Sequence, residues 1–260
     1  MSNFFGLVHN ENVKIYARVR TWIMLGIIAL TALLMPVLMY FVSDEIGLWS
    51  VMNTLLLFKF LPTVFAIAVA ADSVAGEFAR GTIKLLLIRP WSRSKVLLAK
   101  YLSLVLFMLG LFTLFTGLGL LASAILFGTG SASDDLLAQI SGSMSAYFWW
   151  SLLYGIVESL IYMTMAFMFS AVFRSNSLAV ALTIILLFMG NVITLLVDPA
   201  KYAIGRYLLF ANLDLTQYIN SATGQHGVMS LGFSLAVLAV YYAVFLGLAF
   251  WVFRKRDVAA

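Results

Sequence analysis

The run WIMLGIIALTALLMPVLMYFV, from Trp22 to Val42, decides the fold because it is apolar throughout and carries no charge. A helix of about 20 apolar residues is what crosses roughly 30 Å of hydrocarbon. The rest of the chain agrees: of 260 residues, 63% are hydrophobic and 10% charged, and the mean hydropathy is +1.03. Continuous runs of this kind predict an all-α membrane protein, because alternating strands would be needed for a barrel.

Further apolar runs make a total of six predicted transmembrane helices in a single domain, residues 1–260. The predicted spans are residues 22–42, 54–74, 96–127, 147–173, 178–197 and 230–253. The third run is longer than the hydrocarbon is thick, so its helix must tilt or project beyond the membrane. Residues 1–20 mix apolar and charged side chains in a pattern typical of an amphipathic helix along the inner headgroups.

The basic residues lie mainly on one side of these spans. Of the 16 lysines and arginines, Lys201 and Arg206 lie in the predicted outer connections and Lys59 lies within a span. The others lie before the first span, in the second and fourth connections, or at the C-terminus. The positive-inside rule therefore predicts a multi-pass protein of the bacterial plasma membrane with both termini in the cytoplasm. Anionic lipid headgroups explain the net charge of +5, so we expect lipid contacts and no nucleic-acid partner.

Several kinds of chemistry are not expected. The chain has no cysteine, and His9 and His226 are its two histidines, so we expect no metal site and no bound cofactor. The dipeptide Gly-Lys does not occur, which excludes a phosphate-binding loop of the G-x-x-x-x-G-K-[ST] type. Any ATP and Mg²⁺ would therefore be handled by another chain, and we expect no enzymatic activity in this one.

Three polar residues well inside the predicted spans are candidate functional residues. Lys59 and Glu158 are ionisable, and such residues in hydrocarbon are rare and often functional. They either pair with each other or face a polar cavity. In a second interpretation, Lys59 extends to the outer headgroups and Glu158 bonds to a neighbouring helix. Asn191, in the fifth span, is a weaker candidate that a hydrogen bond between helices explains.

The second connection, from Asp72 to Lys100, reads DSVAGEFARGTIKLLLIRPWSRSKVLLAK. It is too polar to span, and its mixture of apolar and charged residues favours a short helix with one face against the membrane domain. Pro90 ends that helix because proline disfavours a helical conformation in the residue before it.

This connection resembles the region after the second span in permeases of ABC type-2 transporters. There an acidic residue precedes Gly-Thr, a leucine-rich turn, Pro, a nearby Arg and a Lys. The matching positions here are Glu77, Gly81, Thr82, Leu85, Leu86, Pro90, Arg93 and Lys100. The resemblance implies the ABC type-2 exporter permease fold, with a cytoplasmic coupling helix and loop at residues 75–95 and an outer gate at residues 198–229.

The resemblance also implies partners and contact residues. The partners would be a cytoplasmic ABC ATPase dimer, which binds ATP and Mg²⁺, and a second permease copy or paralogue. The residues that would contact the ATPase are Glu77, Phe78, Arg80, Gly81, Thr82, Lys84, Leu85, Leu86, Pro90 and Arg93. For the basic residues of this set, topology and headgroup attraction are the alternative explanation.

The sequence thus predicts the permease subunit of an ATP-driven exporter of a drug, peptide, antibiotic or lipid-like substrate. The alternative is an ion-coupled secondary transporter or channel that uses Lys59 and Glu158.

Overall fold

A computed structural model describes residues 4–42, 46–79, 92–128, 143–173, 175–219 and 229–255. All regular structure over these residues is helical, which confirms the all-α prediction. The α-helices are α1 Phe4–Tyr16, α2 Val19–Val42, α3 Leu48–Leu55, α4 Phe60–Ala79, α5 Arg93–Phe127, α6 Met144–Phe173, α7 Asn176–Leu196, α8 Leu209–Leu213 and α9 Leu231–Lys255. Short 3₁₀ helices cover Leu56–Phe58, Ala203–Tyr207 and Leu215–Tyr218.

Five helical segments of the described residues are long and apolar enough to cross a membrane. They are Val19–Val42, Leu48–Ala79, Arg93–Phe127, Met144–Phe173 and Leu231–Lys255. Each overlaps one of the predicted spans. The remaining predicted span, residues 178–197, overlaps α7, an apolar helix of 21 residues.

The second of these segments is interrupted near its start. It begins at Leu48, earlier than predicted, changes to a 3₁₀ turn at Leu56–Phe58 and resumes as α4. Pro62 explains the interruption, because it has no N–H for the carbonyl of Phe58 and its ring crowds that carbonyl. Lys59 lies at the junction, where its N–H bonds to the carbonyl of Leu56 at 3.0 Å.

The helices extend beyond the predicted spans at the end where the basic residues cluster. α4 continues to Ala79, and α5 begins at Arg93 and is 35 residues long, about 52 Å at about 1.5 Å per residue. That length agrees with the prediction that this helix tilts or projects. Residues 75–79 of the predicted coupling segment therefore continue a span.

The N-terminal segment forms a helix, α1, which ends at Tyr16, and Val19 already belongs to α2. Leu7 and Val8 of α1 are buried against Val96 and Ala99 of α5. The sequence placed the apolar face of this helix against lipid headgroups, but part of that face covers the start of another helix instead.

α6 lies at the centre of the bundle. It packs against α4, α7 and α9, whereas α5 packs against α1, α2 and α4. Of the most apolar stretch of α6, 61% is buried, compared with 17% for α2, which therefore lies at the edge. The largest buried side chains at the centre are Phe107, Phe115, Phe148 and Phe167.

The segment before α9 folds onto the bundle. Asn212 is fully buried and its Nδ2 donates to the carbonyls of Arg206 and Leu208, both at 2.8 Å. Oγ of Ser234 in α9 donates to Oδ1 of Asn212 at 2.7 Å. The described part of the predicted gate, residues 198–219, thus consists of short helices tied to α9, and residues 220–228 lie outside the described chain. Its role as a gate stays a prediction.

We expect Gly119→Ala to destabilise the protein and Gly117→Ala to leave its stability nearly unchanged. A Cβ at Gly119 would overlap Cδ2 of Leu55, which is buried, whereas a Cβ at Gly117 meets no atom within 4 Å. Overpacking of this kind costs about 1–3 kcal/mol of unfolding free energy. The thermal unfolding midpoint of each purified variant measures the difference, and equal midpoints would contradict the packing of α5 on α3.

Candidate functional site

A cluster of charged residues lies where α1, α2, α4 and α5 meet. We call it the charge cluster. It comprises Glu11, Lys14, Arg18, Arg20, Asp72, Glu77 and Lys100. The cluster lies beside the last turns of α4 and the first turns of α5, which flank the predicted coupling segment.

Lys100 is the centre of the first half of the cluster. Its side chain is 4% exposed, and its Nζ lies 2.6 Å from Oε2 of Glu11 and 2.7 Å from Oε1 of Glu77. Lys14 donates to Oε1 of Glu11 at 2.6 Å and reaches Oε1 of Glu77 at 3.4 Å. These four side chains tie α1 to α4 and α5.

The protonation state of Glu11 follows from these neighbours. Burial raises the pKa of Glu11, but the ammonium of Lys100 and the hydrogen bonds from Lys100 and Lys14 outweigh burial and hold that pKa below its ordinary value. The carboxylate therefore stays charged at neutral pH. The contribution of the Glu11 carboxylate to stability is fully present above its ordinary pKa. It is lost as the pH falls from there through the lowered pKa of the folded state.

Asp72 is the centre of the second half. It is buried, and its Oδ2 accepts hydrogen bonds from Arg18 and, at 2.8 Å, from Nη2 of Arg20. The corner between α1 and α2 is closed by Thr21, whose Oγ1 donates to the carbonyl of Ile15 at 2.6 Å. Asp72 thus fastens this corner to α4.

A cavity of about 40 Å³ lies between the two halves of the cluster, with Glu11, Arg18, Asp72, Glu77 and Lys100 among its lining residues. This volume holds a few water molecules and is far smaller than an ordinary ligand site. The ion pairs of the charge cluster therefore join helices, and the cavity between them is smaller than a substrate pocket.

The structure places the two ends of the predicted coupling segment. Glu77 is buried in the charge cluster, so its carboxylate fastens the end of α4. Phe78 is half-buried against the core, and Arg93 is the first residue of α5. The other predicted contact residues lie outside the described chain: Arg80, Gly81, Thr82, Lys84, Leu85, Leu86 and Pro90.

Lys59 and Glu158 are brought together within the membrane-spanning helices. Nζ of Lys59 lies 3.0 Å from Oε2 of Glu158, which agrees with the pairing hypothesis. Beside this pair, the hydroxyls of Thr63 and Ser159 are hydrogen-bonded at 2.5 Å. Gly155 makes room for the lysine stem, since a Cβ there would lie 3.2 Å from Cδ of Lys59.

Asn191 belongs to α7, as the sequence predicted for the fifth span, and its side chain is not part of what the structure describes.

The contacts of Glu11, Asp72, Arg18 and Arg20 are not predicted from the sequence. In the sequence the two arginines are topology signals, and the two acids have no assigned role. The signal that could have found the cluster is the presence of acidic residues among basic ones at a membrane boundary, because buried charges need partners.

Comparison with known proteins gives one matching family and several similar proteins. Residues 21–259 match the model of a family described as "Protein of unknown function (DUF2705)". The uncharacterized protein YhcI of Bacillus subtilis (strain 168) is 36% identical, over 97% of this chain and 99% of YhcI. The uncharacterized membrane protein YdbK of the same strain is 31% identical, over 74% of this chain and 76% of YdbK. The probable ABC transporter permease protein NosY of Stutzerimonas stutzeri is 27% identical, over 82% of this chain and 84% of NosY.

We expect Lys100→Met to destabilise the protein by about 3–5 kcal/mol, because it removes the buried cation between two buried carboxylates and leaves beside them Lys14, which is half-exposed. Lys95→Met is the matched control, since Lys95 lies on the same helix and is exposed. Thermal unfolding of the purified variants in detergent measures both effects.

A triple variant separates charge from packing. Lys100→Met combined with Glu11→Gln and Glu77→Gln removes all three charges together, so most of the lost stability should return. A triple variant as unstable as Lys100→Met alone would show that the cluster acts through shape and not through charge.

Proposed function

We propose that this chain, which belongs to the DUF2705 family of proteins of unknown function, is the permease subunit of an ATP-driven ABC exporter. The observation that carries the proposal is the similarity to NosY, a probable ABC transporter permease, over 82% of the chain. The multi-pass helical structure is compatible with that role. The proposed partners are a cytoplasmic ABC ATPase dimer and a second permease copy or paralogue.

The charge cluster supports a route for coupling. It holds the end of α4 through Glu77 and the start of α5 through Lys100, and these helices border residues 80–91. In the proposal, residues 80–91 contact the ATPase, which carries ATP and Mg²⁺. A movement of that contact would pass to α4 and α5 together, and through Asp72 to α2 as well.

Coupling of this kind requires that the free energy of contact between the ATPase and the permease differ between the ATP-bound and ATP-free states of the ATPase. Ion pairs that join three helices are suited to it, because a shift of one helix changes several charge contacts at once. The transported molecule in the proposal is a drug, peptide, antibiotic or lipid-like compound.

We expect the chain to copurify with an ABC ATPase subunit from its own genome when the two are expressed together, and the complex to hydrolyse Mg-ATP. The double variant Arg80→Glu with Lys84→Glu should reduce ATPase retention about tenfold or more, because it reverses charge at the proposed contact. Lys201→Glu is the control, since Lys201 is exposed in the predicted outer connection. The coupling role would be refuted if the double variant retained as much ATPase as Lys201→Glu, or if the wild-type chain retained none.

A second candidate function is an ion-coupled secondary transporter, which the Lys59–Glu158 pair within the spans favours. It predicts ion-driven flux into proteoliposomes that hold this chain alone, lost in Glu158→Gln. The exporter proposal predicts that no such flux occurs without ATP and the ATPase. A flux assay with and without an imposed ion gradient therefore decides between the two.

A further inference from the structure

Two aromatic residues lie on the same face of α6 as Glu158. Trp150, Tyr154 and Glu158 follow one another at spacings of four residues, which places them on one stripe of the helix. The rings of Trp150 and Tyr154 lie against each other, with centroids 5.9 Å apart and planes at 32°. Trp150 is 51% exposed and Tyr154 is half-buried, so the stripe is accessible down to the carboxylate.

The Lys59–Glu158 pair at the inner end of the stripe is partly open. The side chain of Lys59 is 30% exposed and that of Glu158 is 28% exposed. Glu158 lies at the midpoint of α6, where a charged pair exposed to acyl chains would be expensive. The open side of the pair therefore suits a polar or charged ligand better than lipid tails.

The carboxylate is partly exposed and has acceptor positions beyond the one that Lys59 uses. Lys59 contacts Oε2, and an ionised carboxylate offers about four acceptor positions on its two oxygens. Gly155 lets the lysine stem lie close across α6, which holds the ammonium beside the carboxylate. A ligand cation could then share Glu158 with Lys59 without displacing it.

We infer that Trp150, Tyr154 and Glu158 form a binding site for a lipophilic organic cation. The aromatic faces attract the positive charge and cover the apolar body of the ligand, and Glu158 supplies the countercharge. A lipophilic anion fits less well, because the same ring faces carry the negative end of the aromatic quadrupole. The inference rests on the proposed function where it takes this cation to be the exported substrate.

The test is equilibrium binding of tetraphenylphosphonium to the chain alone in phosphatidylcholine nanodiscs, with empty nanodiscs as the background. The wild type should bind the cation above background. Glu158→Gln should weaken binding about tenfold or more, because it removes the countercharge. Trp150→Leu should weaken it about threefold to tenfold.

Trp149→Leu is the matched control. Trp149 is 50% exposed, adjacent to Trp150 and packed against Phe148 at 5.2 Å between centroids, but it lies off the stripe. Its substitution should leave the affinity unchanged. Monodisperse elution and the thermal unfolding midpoint show that each variant is folded; if Glu158→Gln does not fold, the two tryptophan variants decide alone.

Three results would overturn the inference: wild-type binding at the level of empty nanodiscs, equal affinity in the Trp149 and Trp150 variants, or preferential binding of the anion tetraphenylborate. The assay contains no ATPase and no ATP. Its failure would therefore remove the cation site and leave the exporter proposal standing, while failure of the copurification experiment would leave the binding result untouched.

Discussion

The ammonium of Lys100, held between Glu11 and Glu77, is the interaction on which the arrangement of α1, α4 and α5 depends. A cation buried to 4% exposure is tolerated only with partners close by, since an unpaired buried charge costs several kcal/mol. α1 must therefore dock on α5 for Lys100 to be buried, and Glu77 of α4 must lie beside both. The N-terminal helix is thus part of the folded bundle.

The second half of the charge cluster extends this constraint to α2. Asp72 binds Arg18 and Arg20, which lie at the corner between α1 and α2, so four helices are linked by two sets of ion pairs that share one small cavity. Such a group moves as a unit or rearranges as a unit, because changing one contact leaves another charge unpaired. This is the physical property that a coupling segment between α4 and α5 would use.

The Lys59–Glu158 pair and the aromatic stripe that continues from it differ in kind from the charge cluster. The three acids and Lys100 of the charge cluster are buried and the cavity between them has room for little more than water, whereas the Lys59–Glu158 pair is partly open and continues into an aromatic stripe. The first arrangement suits transmission of movement and the second suits recognition of a ligand. Their separation along the helices is compatible with a protein that binds a molecule in one region and is driven from another.

The sequence by itself determined the helical class and the approximate place of the five long apolar helices of the described chain, because the length of an apolar run and the thickness of hydrocarbon set both. It located Lys59, Glu158 and the segment after the second span, but it did not give the length by which α4 and α5 continue past the predicted spans or the interruption of the second span before Pro62. Only the tertiary structure decided which charges meet. The paired residues are far apart in sequence: 54 residues for Arg18 and Asp72, 89 for Lys100 and Glu11, and 99 for Lys59 and Glu158. The packing of neighbouring helices, which no local pattern encodes, brings each pair within bonding distance.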